Sequence, residues 1–215
     1  QYTNYYLHSA GRANSVLGAG ALSTTPPADE PPDTYDYDPE NPVPTVGGQS
    51  QLPEHMGPRD RRAVERRDDI LVYSTPPLAR DTDVTGPVAL VLFAATSAVD
   101  TDFTAALVDV HPNGQCILLT QGIVRARFRE SLEQPTLVEP GKVYRYTVTL
   151  WETSNLFKAG HRIRVEVSSS NFPHFDRNLN SGEDLATGCH PRIAHQTILH
   201  DQQHPSHLVL PIIPG

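Results

Sequence analysis

At 215 residues the chain is long enough to bury roughly 70% of its unfolded surface around one core, so a single main domain is expected. A formal net charge of −8 argues against a phosphate-binding surface, and no apolar run approaches the ~18 residues of a membrane span. Glycine (14) and proline (20), with many short apolar runs between them, favour a turn-rich β fold over helices.

Residues 1–69 read as a Pro-rich irregular arm with entry loops. Pro26-Pro27, Pro31-Pro32 and the NPVPTVGG stretch exclude long hydrogen-bonded runs, leaving room for short strands around Leu22 and around Thr34 to Tyr37. Tyr2, Tyr5, Tyr6 and Leu7 still carry enough apolar surface to lie against the body of the fold or a partner. Residues 70–215 are regular. Apolar segments fall at Ile70 to Tyr73, Val88 to Ala95, Phe103 to Val110, Cys116 to Thr120, Ile123 to Phe128, Val143 to Leu150, Arg162 to Val167, Gln196 to Leu199 and Leu208 to Ile212. Such short strands suit a two-sheet sandwich, with the arm and the body together forming one domain.

Asn113-Gly114 predicts a type I′ hairpin and Pro140-Gly141 a second turn. In HRIRVEVS the alternation puts Ile163, Val165 and Val167 toward the core and Arg162, Arg164 and Glu166 outward. The stretch from Ser168 to Ala194 has no periodicity and reads as a large polar surface loop.

The chemistry-bearing residues form no convincing active site. No G-x-S-x-G nucleophile elbow occurs, and Gly47-Gly48-Gln49-Ser50 lacks the closing glycine. Ser168, Ser169 and Ser170 with His174 and Asp176 are too local for a triad and read as loop hydrogen-bonding groups. His190, His195, His200, His204 and His207 lack zinc-site spacing, and Asp100-x-Asp102 lacks the rest of a calcium loop and reads as a capped turn, so neither metal nor cofactor is expected. Arg125, Arg127 and Arg129 alternate with Val124, Ala126 and Phe128, which places three guanidinium groups on one sheet face, either solvated or used for docking. Cys116 and Cys189 read as free thiols, in keeping with a reducing, cytoplasmic setting.

Four segments, DPENPVPTVGG (Asp38 to Gly48), AVDTDFTAALVDVHPNG (Ala98 to Gly114), TSNLFKAGHRIRVEVSSSNFP (Thr153 to Pro173) and HPSHLVLPIIP (His204 to Pro214), together resemble the C-terminal domain of the cocaine esterase and X-prolyl dipeptidyl aminopeptidase (CocE/NonD) family of serine hydrolases. The resemblance implies an all-β jelly-roll sandwich, galactose-binding-domain-like, that packs on an α/β-hydrolase catalytic domain. In that family the catalytic triad precedes the matching region, so no residue here inherits a catalytic role. It also implies that Gln49 to Met56 approaches the catalytic mouth, with Leu52, Pro53 and Met56 as a pocket wall, and that Arg125, Arg127 and Arg129 serve docking. The partner would be the catalytic domain, and an uncovered face would favour self-association. A stand-alone carbohydrate- or ligand-binding sandwich and a separately encoded subunit are the alternatives.

Overall fold

The computed structural model describes residues 1–49, 53, 56–184 and 186–214. Among these residues eleven strands carry the fold: β1 (Tyr2–His8), β2 (Gly20–Ser23), β3 (Asp33–Tyr37), β4 (Leu71–Ser74), β5 (Thr82–Thr96), β6 (Asp102–Val110), β7 (Cys116–Arg125), β8 (Tyr144–Phe157), β9 (Arg162–Ser168), β10 (Ala194–Leu199) and β11 (His207–Pro211), with 3-10 turns at Val64–Arg66 and Ala126–Phe128. Hydrogen bonding runs in the order β3-β10-β5-β11-β1-β2-β4-β9-β6-β7, and β8 pairs with β5. No helix among the described residues is long and apolar enough to cross a membrane.

The result is the expected all-β jelly-roll sandwich. Alternate residues of β5 (Leu90, Leu92, Ala94), β6 (Phe103, Ala105, Leu107), β8 (Tyr146, Val148, Leu150) and β9 (Ile163, Val165, Val167) meet in one buried cluster. Each of the larger aliphatic and Phe side chains contributes about 1.5–3 kcal/mol by leaving water. The sandwich closes where β7 lies against β8: the Thr120 hydroxyl donates to the Leu150 carbonyl, and a Cβ at Gly122 would sit 1.9 Å from the Thr149 carbonyl oxygen. Only glycine permits that approach.

The arm is more regular than its prolines suggest. β1, which the sequence reading did not identify as a strand, lies between β11 and β2, and β2 runs parallel to β4. Only Leu7 of β1 is buried, so hydrophobic alternation could not reveal it; pairing on both edges holds it in place.

Three further details depart from the sequence reading. The two segments expected between Cys116 and Phe128 are one strand ending at Arg125, followed by a 3-10 turn. The β6–β7 hairpin is not type I′, because Pro112 fixes a negative φ at the first central position; a turn closed by Gly114 N–H to the His111 carbonyl (2.9 Å) is followed by Gly114 at φ +87°. In β5, Pro87 has no N–H to offer, and the ladder slips there from Pro87↔Glu152 to Ala89↔Thr149. Trp151, at φ +65°, is thrown outward at that bulge.

Arg164 and Glu166 do point away from the main core, but they are buried rather than solvated. Residues of the 3-10 turn region lie over them. Arg61 donates to Glu166 from Nε (2.9 and 3.1 Å) and Nη2 (2.7 Å), while Arg164 reaches Glu65 at 2.7 Å. Burial pushes the Glu166 carboxyl up to about 7, against the opposing pull of Arg61. Both cysteines are free, Cys116 buried and Cys189 exposed.

Candidate interdomain surface

The PVPTVGG segment and the SSSNFPHF loop are stitched together at one end of the sandwich. Pro44 and Phe172 form a parallel bridge, in which Phe172 N–H donates to the Val43 carbonyl (2.9 Å) and Thr45 N–H to the Phe172 carbonyl (2.8 Å). The Ser170 hydroxyl accepts from Val43 N–H (2.9 Å), and the Thr45 hydroxyl accepts from His174 N–H (3.0 Å). These bonds leave Phe172 42% exposed with the Arg177 guanidinium 6.0 Å from its ring centre. Burial without a compensating charge lowers the His174 pKa.

Beside this strap the chain leaves at Gly48 and returns at Gly57 through two reciprocal backbone bonds of 2.9 Å. Gly48 has φ +94°, and a Cβ there would meet the Gln121 side chain at 2.2 Å. The pair Gly47-Gly48 is therefore a fixed base and not the free hinge its composition suggests. Of the residues singled out as a pocket wall, Pro53 and Met56 are exposed, Met56 to 47%, and Leu52 lies outside the described residues. Arg59 Nε donates to the Met56 carbonyl at 3.1 Å, which ties the returning limb.

The three arginines do not share a strand face. Arg125 ends β7 and binds Asp102 (2.8 and 2.9 Å) and Asp176 (3.0 Å); Arg127 binds Asp100 (2.8 Å); Arg129 donates to the Thr136 carbonyl (2.6 Å) and lies 4.3 Å over the Tyr144 ring. Asn178 donates to both Asp100 and Asp102 at 2.9 Å. Burial raises the Asp102 pKa, and Arg125 and Asn178 work to keep it ionised. Asp100-x-Asp102 is thus a buried acceptor pair that holds the loop carrying Asp176 to Asn178 onto the start of β6. Arg alternation in sequence could not show this, because the acceptors are supplied by a segment more than 20 residues away.

The serine loop holds no triad. Ser169 is buried and bonded to Tyr35 (2.9 Å) and Gln196 (3.1 Å), and Ser168 donates to the Asp69 carbonyl (2.6 Å). None of the three hydroxyls is hydrogen-bonded to His174 among the described residues. The C-terminal histidines are dispersed: His195 pairs with Asp36, His204 with Asp201, and His190 with Glu183. His200 instead joins a polar knot that sequence reasoning missed. Asp33, fully buried, accepts from Ser9 Oγ, Ala13 N–H and Tyr73 OH (each 2.8 Å) and from His200 Nε2 (2.9 Å). Burial opposes its charge, yet these four bonds, His200 foremost, hold the Asp33 carboxyl below the usual value.

Residues 1–209 match the family described as the X-Pro dipeptidyl-peptidase C-terminal non-catalytic domain. The chain is 50% identical over 218 residues to the cocaine esterase of Rhodococcus sp. (strain MB1 Bresler), covering 99% of this chain and 38% of that protein. Among solved structures, an aminopeptidase from a marine sediment Thaumarchaeota archaeon superposes with a TM-score of 0.88 at 30% identity, covering 100% of this chain and 37% of that one. An alpha-amino acid ester hydrolase superposes at 0.83 with 26% identity, covering 98% and 36%. The chain therefore spans a little over a third of the length of these relatives.

Proposed function

Because the chain belongs to the X-Pro dipeptidyl-peptidase C-terminal non-catalytic domain family, we propose that it is the accessory sandwich of a CocE/NonD-type serine hydrolase, docked on an α/β-hydrolase domain through the strap surface. The parent reaction is acyl transfer from an ester or amide to water through an acyl-serine. The observation that carries this reading is the 50% identity along nearly the whole chain to an esterase of which it covers 38%, in a sequence with no nucleophile elbow of its own. In this role Phe172, Pro53 and Met56, with Leu52, form the apolar contact and the pocket wall. Arg125, Arg127 and Arg129 contribute to docking indirectly, by holding the loops that present it.

The carbohydrate-binding alternative has less support. Tyr2, Trp151 and Phe172 are the large aromatics exposed among the described residues, no two of them stack together, and Trp151 owes its exposure to the Pro87 bulge.

Purified alone, the chain should not turn over p-nitrophenyl esters, and Ser169→Ala should change nothing but stability. Turnover lost on that substitution would overturn the non-catalytic assignment of this loop. With a separately expressed catalytic half, the chain should form a one-to-one complex that Phe172→Asp weakens. Self-association of the chain with no uptake of that half would argue against the interface. In the complete enzyme, Met56→Ala and Leu52→Ala should shift relative kcat/KM between bulky and small acyl groups by about tenfold or more, as apolar groups missing from a pocket wall do. Unchanged acyl preference in both variants would remove this loop from the pocket.

A further inference from the structure

The inward row of β6 runs Phe103, Ala105, Leu107 and then breaks its apolar pattern: the next two positions on that face are Asp109 and His111. On β9 the matching row Val167, Val165, Ile163 ends at His161. The register pairs Leu107 with Val165, Asp109 with Ile163 and Val110 with Arg162, so the next step sets His111 across from His161. Three side chains of the metal-ligating kind thus meet at the mouth of the sandwich, where the pattern calls for apolar ones.

Their geometry converges. His161 Nδ1 is 2.8 Å from Asp109 Oδ1, His111 Nε2 is 3.6 Å from Asp109 Oδ2, and the three ligand atoms all lie within 4.8 Å of one another. The two imidazoles are 4.4 Å apart at their centres and tilted by 36°. Asp109 is buried, His161 nearly so, and His111 is open to solvent on one side, which provides an entry path and a free coordination position. The β8–β9 turn that carries His161 is itself fixed by Asp81, which accepts from Lys158 Nζ (2.9 Å) and Ala159 N–H (2.8 Å).

We propose that Asp109, His111 and His161 form a site for a divalent transition metal, with zinc the ion that suits it best. Two neutral imidazoles and one carboxylate with an open fourth position are a common zinc donor set. A tetrahedral ion with bonds of 2.0–2.1 Å holds its ligands roughly 3.3 Å apart. The two Asp109–imidazole separations of 2.8 and 3.6 Å bracket that spacing, and the ligand atoms, all within 4.8 Å of one another, close onto a shared ion by rotation of the partly exposed His111 side chain. Bound there, the ion cross-links the end of β6, the β6–β7 hairpin and the β8–β9 turn. His111 and His161 are 50 residues apart in sequence, which is why no local spacing announces them.

The test uses the full chain stripped with chelator and titrated with Zn2+ by calorimetry, and with Co2+ followed by its visible d–d absorption. One equivalent of Zn2+ should bind saturably, raise the melting temperature, and give Co2+ the intense bands of a four-coordinate site. His111→Ala, on the exposed side, and Asp109→Asn, which keeps the shape, should each lose saturable binding while retaining the wild-type circular dichroism. Cys189, His190 and Glu183 form another, exposed group of possible zinc ligands, so Cys189→Ser should bind as the wild type does. Undiminished binding in His111→Ala and Asp109→Asn, loss of binding in Cys189→Ser alone, or no saturable uptake by the wild type would each overturn the proposal and leave the trio as a hydrogen-bonded cap.

Discussion

Arg61→Met should cost about 3–5 kcal/mol of folding stability, because it strips the cation bonded to a carboxylate that stays buried. Glu166 is 3% exposed and takes three hydrogen bonds from Arg61, so its charge has no route to water once that guanidinium is gone. The neighbouring Arg164 is already engaged with Glu65 at 2.7 Å. For a domain of this size the melting temperature should fall by on the order of 10 °C. The loss carries a pH signature. A carboxyl whose folded pKa is raised binds more protons folded than unfolded, so its stability is greatest below the unfolded value and declines as pH rises through the folded one. Glu166 already sits at about 7, and losing Arg61 raises it further. The variant should therefore lose most relative to wild type under mildly alkaline conditions and recover part of the deficit toward acid. Arg61→Met combined with Glu166→Leu should restore much of the stability, since the pair is removed together. A single variant that melts like the wild type at all pH values would mean that water already reaches Glu166.

Asp33→Ala should be comparably damaging, at least about 3 kcal/mol, since buried donors left without an acceptor cost roughly 1–3 kcal/mol each and partial relaxation keeps the total below the sum. Ser9, Ala13, Tyr73 and His200 all lose their partner at once. These groups come from the arm, β4 and the β10–β11 connection, so the damage should concentrate in β1 to β3. Amide exchange there should accelerate more than in β6 or β9. The Asp33 carboxyl is held below its ordinary value, so its contribution is complete above the unfolded pKa and fades as pH falls through the folded one. Urea titrations should accordingly show a large gap between wild type and variant at neutral pH and a smaller one in acid. Equal exchange rates across the arm would show that β-pairing alone holds it.

The strands of the body were legible because alternation reports burial directly: Ile163, Val165 and Val167 all lie in the core as their spacing demands. What escaped were features decided by groups distant in sequence. β1 has one buried side chain and is specified by partners at both edges, one of them 200 residues onward. Arg164 and Glu166 occupy the face that alternation assigns to solvent, and only the fold reveals that Arg61 and Glu65 cover it. The three alternating arginines suggested one flat surface, yet a 3-10 turn after Arg125 sends them to separate acceptors. Pro112 was the signal in plain view: its fixed φ suits the first central position of a turn that starts at His111, and it lacks the N–H that a strand residue flanking Asn113-Gly114 would donate.

The position of β1 also bears on how this chain is made. Its ladder to β11 joins Tyr2 to Pro211 and Tyr6 to His207. Because synthesis runs from N- to C-terminus, one edge of β1 must wait until β2 to β10 have been made. Contacts of such range make folding slow, and an open strand edge invites pairing with the wrong chain in the interval. β11 therefore acts as a closing seam: until it arrives, β1 and β5 each keep a stretch of unpaired edge, and aggregation competes with completion of the sheet.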